Sequence, residues 1–178
     1  MKKLLFIILL SGCHLIGWTQ TGTDGFYRII KEQADRMHEY HVNEDFERYA
    51  TMMHPMFIQD LGGVQKTAAY LKQIEENLHK QGFRLKQHQV GELSPIIHHS
   101  NQLQAILTRF LTYSVEGGSM LTHTHWFVVS EDHGNTWKFL DVTGQSIQAV
   151  VDRIPQVSSD LVIPATVEPI FLEEGRRN

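Results

Sequence analysis

The spacing of the apolar residues changes once along this chain, near Gly82, and that change restricts its folds more than any single residue does. Before it, Phe26, Ile29, Ile30, Ala34, Met37 and Tyr40 recur at intervals of about three and four, and so do Val64, Ala68, Leu71, Ile74 and Leu78. That period puts apolar side chains on one stripe of a helix. After it, apolar and polar residues alternate, most clearly over Gln102 to Val115 and Ser119 to Ser130. Alternation is the pattern of a strand with one buried face. Helices followed by consecutive strands predict an α+β fold, with three N-terminal helices packed on one face of a strongly curved antiparallel sheet.

Local signals predict the boundaries. Asp24 is placed to cap a first helix running to about His41, and Asn43 to cap a second that carries Phe46, Tyr49, Ala50 and Met53 and stops at Pro55. Met56-Phe57-Ile58 reads as a short strand or extended link, and Gly62-Gly63 as a turn. The third helix spans Val64 to Leu78, with Gly82 at its C-terminal cap. Phe83 to Leu93, Pro95 to His98 and Thr136 to Thr143 are the other strands, and Glu116-Gly117-Gly118-Ser119 is a hairpin turn that needs positive φ. Ser146 to Arg153 suits a last short helix, followed by an extended tail punctuated by Pro155, Pro164 and Pro169.

The chain has 178 residues, enough to bury a sizeable core, and its start has the pattern of a secretory signal: Lys2 and Lys3, the apolar run Leu4 to Leu10, then a polar exit to Gln20. The run is too short for a membrane span. Leu10-Ser11-Gly12-Cys13 matches a lipobox, in which Cys13 would carry lipid and anchor the protein to a membrane; ordinary cleavage after Gln20 is the other route. Either way the protein is expected to be exported, periplasmic or secreted. The expected division is 1–20 signal peptide, 21–145 folded domain and 146–178 short helix with tail. Cys13 is the only cysteine, so the folded part contains no disulfide, thiolate nucleophile or cysteine-based zinc site. The formal charge of −4 becomes −6 without Lys2 and Lys3, and apart from Arg176-Arg177 nothing basic is clustered, which argues against a nucleic-acid partner.

Ser130, Asp132, Gly134, Thr136 and Trp137 match the Asp-box pattern Ser-x-Asp-x-Gly-x-Thr-Trp. A single copy predicts a tight hairpin in which the aspartate binds turn amides and the tryptophan packs beneath. Pairing Val129 with Trp137 across it sets Phe127 opposite Phe139, His125 opposite Asp141 and His123 opposite Thr143, all on one face. Opposite Cβ atoms lie about 4.5 to 5.5 Å apart, so His125 and Asp141 could hydrogen-bond, as a general base with its orienting carboxylate. The competing reading is a structural pair satisfied among Phe127, Phe139 and Trp137. A slip of one residue would separate them.

His123 and His125 stand about 6.8 Å apart along that face, the spacing of two ligands of one metal, with Asp141 as a third. No further ligand is fixed by spacing, and neither metal nor cofactor is expected. Arg109 interrupts the apolar set Leu103, Ala105, Leu107, Leu111, Tyr113 and Val115. A buried arginine pairs with a carboxylate or awaits an anionic ligand. A two-residue loop at Gly117-Gly118 puts Arg109 opposite Trp126, away from His125; a three-residue loop puts it beside His125 and Asp141. His38, His41, His98 and His99 read as solvated, His54 and Asp60 as loop residues.

Taken together, three helices, a short strand after His54-Pro55, the Gly62-Gly63 turn and a curved meander ending in Trp137-Lys138-Phe139-Leu140-Asp141 resemble the nuclear transport factor 2-like superfamily, which includes ketosteroid isomerases and SnoaL-type polyketide cyclases. The resemblance covers roughly Phe26 to Thr143 and implies a cone-shaped fold with a pocket between sheet and helices and, commonly, a homodimer through the outer sheet face. No catalytic residue carries over by motif. The expected function is binding of a small, partly apolar molecule, with Arg109, His123, Phe127, Phe139 and Trp137 as ligand-binding candidates. The alternatives are an isomerase-, cyclase- or dehydratase-type enzyme with His125 and Asp141 as catalytic pair, and a His/Asp metal-binding domain.

Overall fold

The computed structural model of the protein describes residues 20–173, so the expected signal segment, Cys13 and Arg176-Arg177 lie outside the described residues. The elements are α1 (Gln20–Val42), α2 (Phe46–Met52), α3 (Pro55–Asp60), α4 (Val64–Lys80), β1 (Arg84–Leu93), β2 (Ile97–His99), β3 (Gln102–Val115), β4 (Gly118–Ser130), β5 (Lys138–Asp141), α5 (Ile147–Arg153) and β6 (Ile170–Glu173). The fold is α+β with a curved antiparallel sheet. Four helices precede the sheet rather than three, and α5 follows it. No described helix is long and apolar enough to cross a membrane.

The additional helix stands where a strand was expected, at Met56-Phe57-Ile58, and the reason is local. His54 N–H donates to the Phe139 carbonyl at 2.9 Å, which ends the extended stretch, and Pro55 then occupies the first turn of α3 while His54 Nδ1 accepts from the Met56 amide at 3.3 Å. Proline at a first helical turn loses no hydrogen bond. The cap of α2 is Asp45, not Asn43; its side chain accepts from the Arg48 amide. Gly82 falls just past α4 with φ 85°, and the Phe83 amide reaches back to Leu78, the closure a left-handed residue permits.

The sheet runs β1-β3-β4-β5, with β2 beside β3 and β6 beside β4. The long hairpin closes through Glu116-Gly117, since Val115 pairs with Gly118 and Gly117 has φ 80°. Two bulges in β1, between Leu85 and Gln87 and between Val90 and Leu93, interrupt its pairing with β3. Bulges bend a strand, and they explain why alternation in this segment is imperfect.

Each sheet face has its own core. The inner face carries Leu103, Ala105, Leu107, Trp126, Val128 and Phe139 against Ile30, Ala34 and Met37 of α1. On the outer face, Ile106, Phe127, Val129, Leu140 and Val142 pack against Val150, Ile154, Val157 and Leu161. Thus α5 and the start of the tail cover that part of the outer face, where a second copy was expected to dock. The tail ends as a strand, Ile170 pairing with Leu121 and Glu173 with Gly118.

The Asp-box forms the predicted turn. Asp132 accepts from the Thr136 amide at 2.8 Å, the Thr136 hydroxyl at 2.7 Å and the Ser130 hydroxyl at 2.8 Å. These donors, the Thr136 amide foremost, hold its carboxyl down to about 2. The Trp137 indole lies beneath and donates to the Gly134 carbonyl at 3.0 Å. Helix α1 clamps the turn: Gln33 accepts from the Trp137 amide and donates to the Asn135 carbonyl, both at 2.9 Å. At Gly134, φ is +90° and an added Cβ would lie 2.2 Å from the Phe26 ring, whereas a Cβ on helical Gly25 meets open space. Gly134→Ala should therefore lower unfolding stability by about 2 kcal/mol or more, from left-handed strain plus the clash. Gly25→Ala should leave it unchanged or raise it by up to about 1 kcal/mol. Urea unfolding of the two variants checks the contrast; equal effects would contradict the clamp.

Candidate functional site

The register of β4 on β5 decides which side chains share the space under the helices. Trp126 pairs with Asp141, Phe127 with Leu140, Val128 with Phe139 and Val129 with Lys138, one residue away from the expected register. The Trp137 amide is committed to Gln33, and the turn takes one residue more than expected before the ladder starts at Lys138. A one-residue shift moves every side chain to the other face.

Consequently the expected His125–Asp141 contact is not formed. His125 sits on the outer face, 3% exposed, with Nδ1 3.3 Å from the Thr108 hydroxyl and its amide donating to the Thr143 hydroxyl at 2.8 Å. Burial lowers its pKa, against the opposing pull of Asp141. The expected His123–Thr143 pairing is also displaced: His123 is paired with Phe110 of β3 and meets its ring edge-on at 4.9 Å. His123, His125 and Asp141 do not converge, and no group of three metal-ligating side chains occurs among the described residues. The expected aromatic set is divided as well. Trp137 and Phe139 belong to the inner core and Phe127 to the outer.

Arg109 faces inward, opposite Thr124 and away from His125. It was expected opposite Trp126 for a two-residue loop; the loop uses Glu116-Gly117 instead of Gly117-Gly118, which moves the pairing by one step along the same face. Its guanidinium carbon lies 3.3 Å from the centre of the Trp126 ring, and Nη2 is 3.6 Å from Asp141 Oδ2. A desolvated cation–π stack of this kind contributes roughly 2 kcal/mol. The carboxylate compensates weakly, since the contact is long, the Asp141 side chain is half exposed, and Oδ1 already accepts from the Thr143 amide. Burial pushes Arg109 down to about 10, so it remains a cation at neutral pH.

Around Arg109 lies a cavity of about 260 Å³, walled by His38, His41, Tyr49, Leu71, His88, Leu111, Tyr113, Thr124 and Trp126 among others. A recess of about 250 Å³ shares Tyr49, Leu71, Arg109, Trp126 and Asp141 with it and extends toward Met37 and Phe139. Of the residues lining the cavity and its recess, Arg109 and Phe139 stood among the expected ligand-binding candidates and Asp141 among the catalytic ones.

His88 is the principal residue that sequence reasoning missed. Its side chain is 2% exposed, it stacks on His38 with ring centres 4.7 Å apart, and Nδ1 is 4.0 Å from Asp35. Burial, followed by the Arg109 charge and His38, lowers it to about 4. Its place inside follows from the β1 bulges, which alternation alone does not reveal. His38 and His41, read as solvated, line the same cavity; burial and then His41 lower the His38 pKa, and Glu75 accepts from His41 and His79 at 3.0 and 2.9 Å. His54 caps α3, and Asp60 pairs with Arg153 at 2.6 Å. Burial raises Tyr49 and Tyr113, which are therefore neutral phenols at neutral pH.

Three buried polar atoms of this wall have no hydrogen-bond partner among the described residues: Arg109 Nε, His88 Nε2 and Thr124 Oγ1. Such atoms are rare in folded proteins, because each forgoes water without replacement. What the wall can do chemically is present the partly accessible Arg109 guanidinium to a guest, beside aromatic and aliphatic surface.

The buried neutral His88 sets a pH dependence. Its folded value of about 4 lies below the ordinary 6.5, so the unfolded chain binds a proton that the folded chain refuses between those values. The stability it supports is complete above pH 6.5 and is lost as pH falls toward 4. His88→Phe should flatten the fall of the urea midpoint over this window, and a variant as pH-sensitive as the parent would contradict the placement of His88. Comparison with family models, curated proteins and solved structures gave no match to this chain.

Proposed function

We propose that the protein is an exported ligand-binding domain of the nuclear transport factor 2-like type, whose cone-shaped interior holds one small, partly apolar molecule. The observation that carries this reading is the cavity of about 260 Å³ between α1, α2, α4 and the inner sheet face, where Leu71, Leu111 and Trp126 stand beside Arg109, His41 and Asp141. Ligand sites are commonly concave, with apolar surface and converging polar groups. Export rests on the Lys2-Lys3 and Leu4 to Leu10 leader, with Cys13 as an optional lipid anchor. The superfamily assignment rests on element order and on helices packed against one face of a curved sheet.

Binding is favoured over catalysis for a geometric reason. The enzyme alternative needed His125 oriented by Asp141, and the two lie on opposite faces of β4 and β5. The metal alternative needed His123, His125 and Asp141 together, and they are apart.

Native mass spectrometry of protein purified from the cells that make it should detect a non-covalent small-molecule adduct at one per chain. Leu71 lines both the cavity and its recess, and Leu71→Trp should fill them. The variant should lose the adduct while retaining its circular dichroism spectrum, at a cost of about 1 to 3 kcal/mol from overpacking. An adduct unaffected by Leu71→Trp would refute this location.

A further inference from the structure

We propose that the molecule held in this cavity is a monocarboxylate, its carboxylate docked on the Arg109 guanidinium and its apolar body lying along Trp126, Leu111 and Leu71. The inference rests on the reading of the cavity as a ligand site and specifies what that site selects.

Charge comes first. Arg109 is 8% exposed and lines the cavity, and its ionic contact with Asp141 is 3.6 Å long. A buried cation so weakly compensated is costly, and an oxyanion supplies the opposite charge it lacks. Stacking on Trp126 fixes the guanidinium plane, so the donors at its edge present a fixed fork that matches a planar carboxylate.

The charges nearby limit the guest to one negative charge. Asp141 and Glu75 line the same cavity and would repel a dianion such as a phosphate monoester. Size limits it further. An apolar cavity of roughly 150 Å³ admits benzene, so about 260 Å³ suits one ring with a short acid-bearing chain, or a medium-chain fatty acid. The walls supply both kinds of contact, since Tyr49, Tyr113 and Trp126 are aromatic whereas Leu71, Leu85 and Leu111 are aliphatic.

The test is a calorimetric and NMR titration of the purified full chain, first stripped of bound molecules, with four probes: phenylacetate, its isosteric amide phenylacetamide, hexanoate and hexanamide. Each carboxylate should bind at least tenfold more tightly than its amide and should shift the Arg109 Nε–H resonance, which the amides leave in place. Phenyl phosphate should bind more weakly than phenylacetate. Arg109→Met should abolish the preference for carboxylates while leaving the amides about as tight as before. The unmodified protein suffices if that variant does not fold, because the acid–amide ratio is read on it directly. Equal affinity for acids and amides, with both lost in Leu71→Trp, overturns the carboxylate assignment and leaves the cavity reading intact. No binding of any probe overturns both.

Discussion

The register of β5 on β4 at the Asp-box turn, which sets Val129 opposite Lys138, is the constraint on which the rest of this structure depends. The Trp137 amide, just before that ladder, is given to Gln33 of α1. Asp132 keeps the turn in the shape that delivers Trp137 to α1, with its carboxylate bound to Thr136 and Ser130. From that register follow the position of Asp141 on the face of Trp126, the position of His125 on the other, and a sheet whose two faces have separate tasks.

Those tasks are covering and holding. The outer face is closed locally by the chain itself through Val150, Ile154, Val157 and Leu161, which turns a solvent-facing sheet into a second core. The inner face is packed at the α1 end by Ile30, Ala34 and Met37 and left open beside α4, where the cavity lies. Closing that space with apolar side chains would favour stability, and placing Arg109 there does the reverse, since desolvating a guanidinium costs several kcal/mol before stacking on Trp126 offsets part of it. A residue retained against its own desolvation is best explained by what it binds.

Much of the fold was legible in the sequence because it depends on period and punctuation. The strands Gln102–Val115 and Gly118–Ser130 agree with the expected spans to within a residue, and α4, the Gly82 cap and α5 follow from ordinary signals. Pro55 was read as a stop when it was also a start, because proline permits a first helical turn as readily as it ends a helix. The site was less legible for a sharper reason. Facing depends on parity, and parity depends on how many residues the turn takes between Val129 and Lys138, which the Asp-box pattern does not specify. Arg109 was visible as the charged break in an apolar face. His88 was concealed by bulges, and Thr124 by a hairpin loop placed one residue earlier than expected.

The central claim is that Trp126, with Arg109 stacked on it, faces the cavity across from Asp141. The most direct measurement is a nuclear Overhauser spectrum of the isotopically labelled protein. The account predicts an Hα-to-Hα cross-peak between Trp126 and Asp141, with contacts from the Arg109 δ-methylene to the Trp126 indole. A cross-peak pairing His125 with Asp141, without the Arg109–Trp126 contacts, would contradict it.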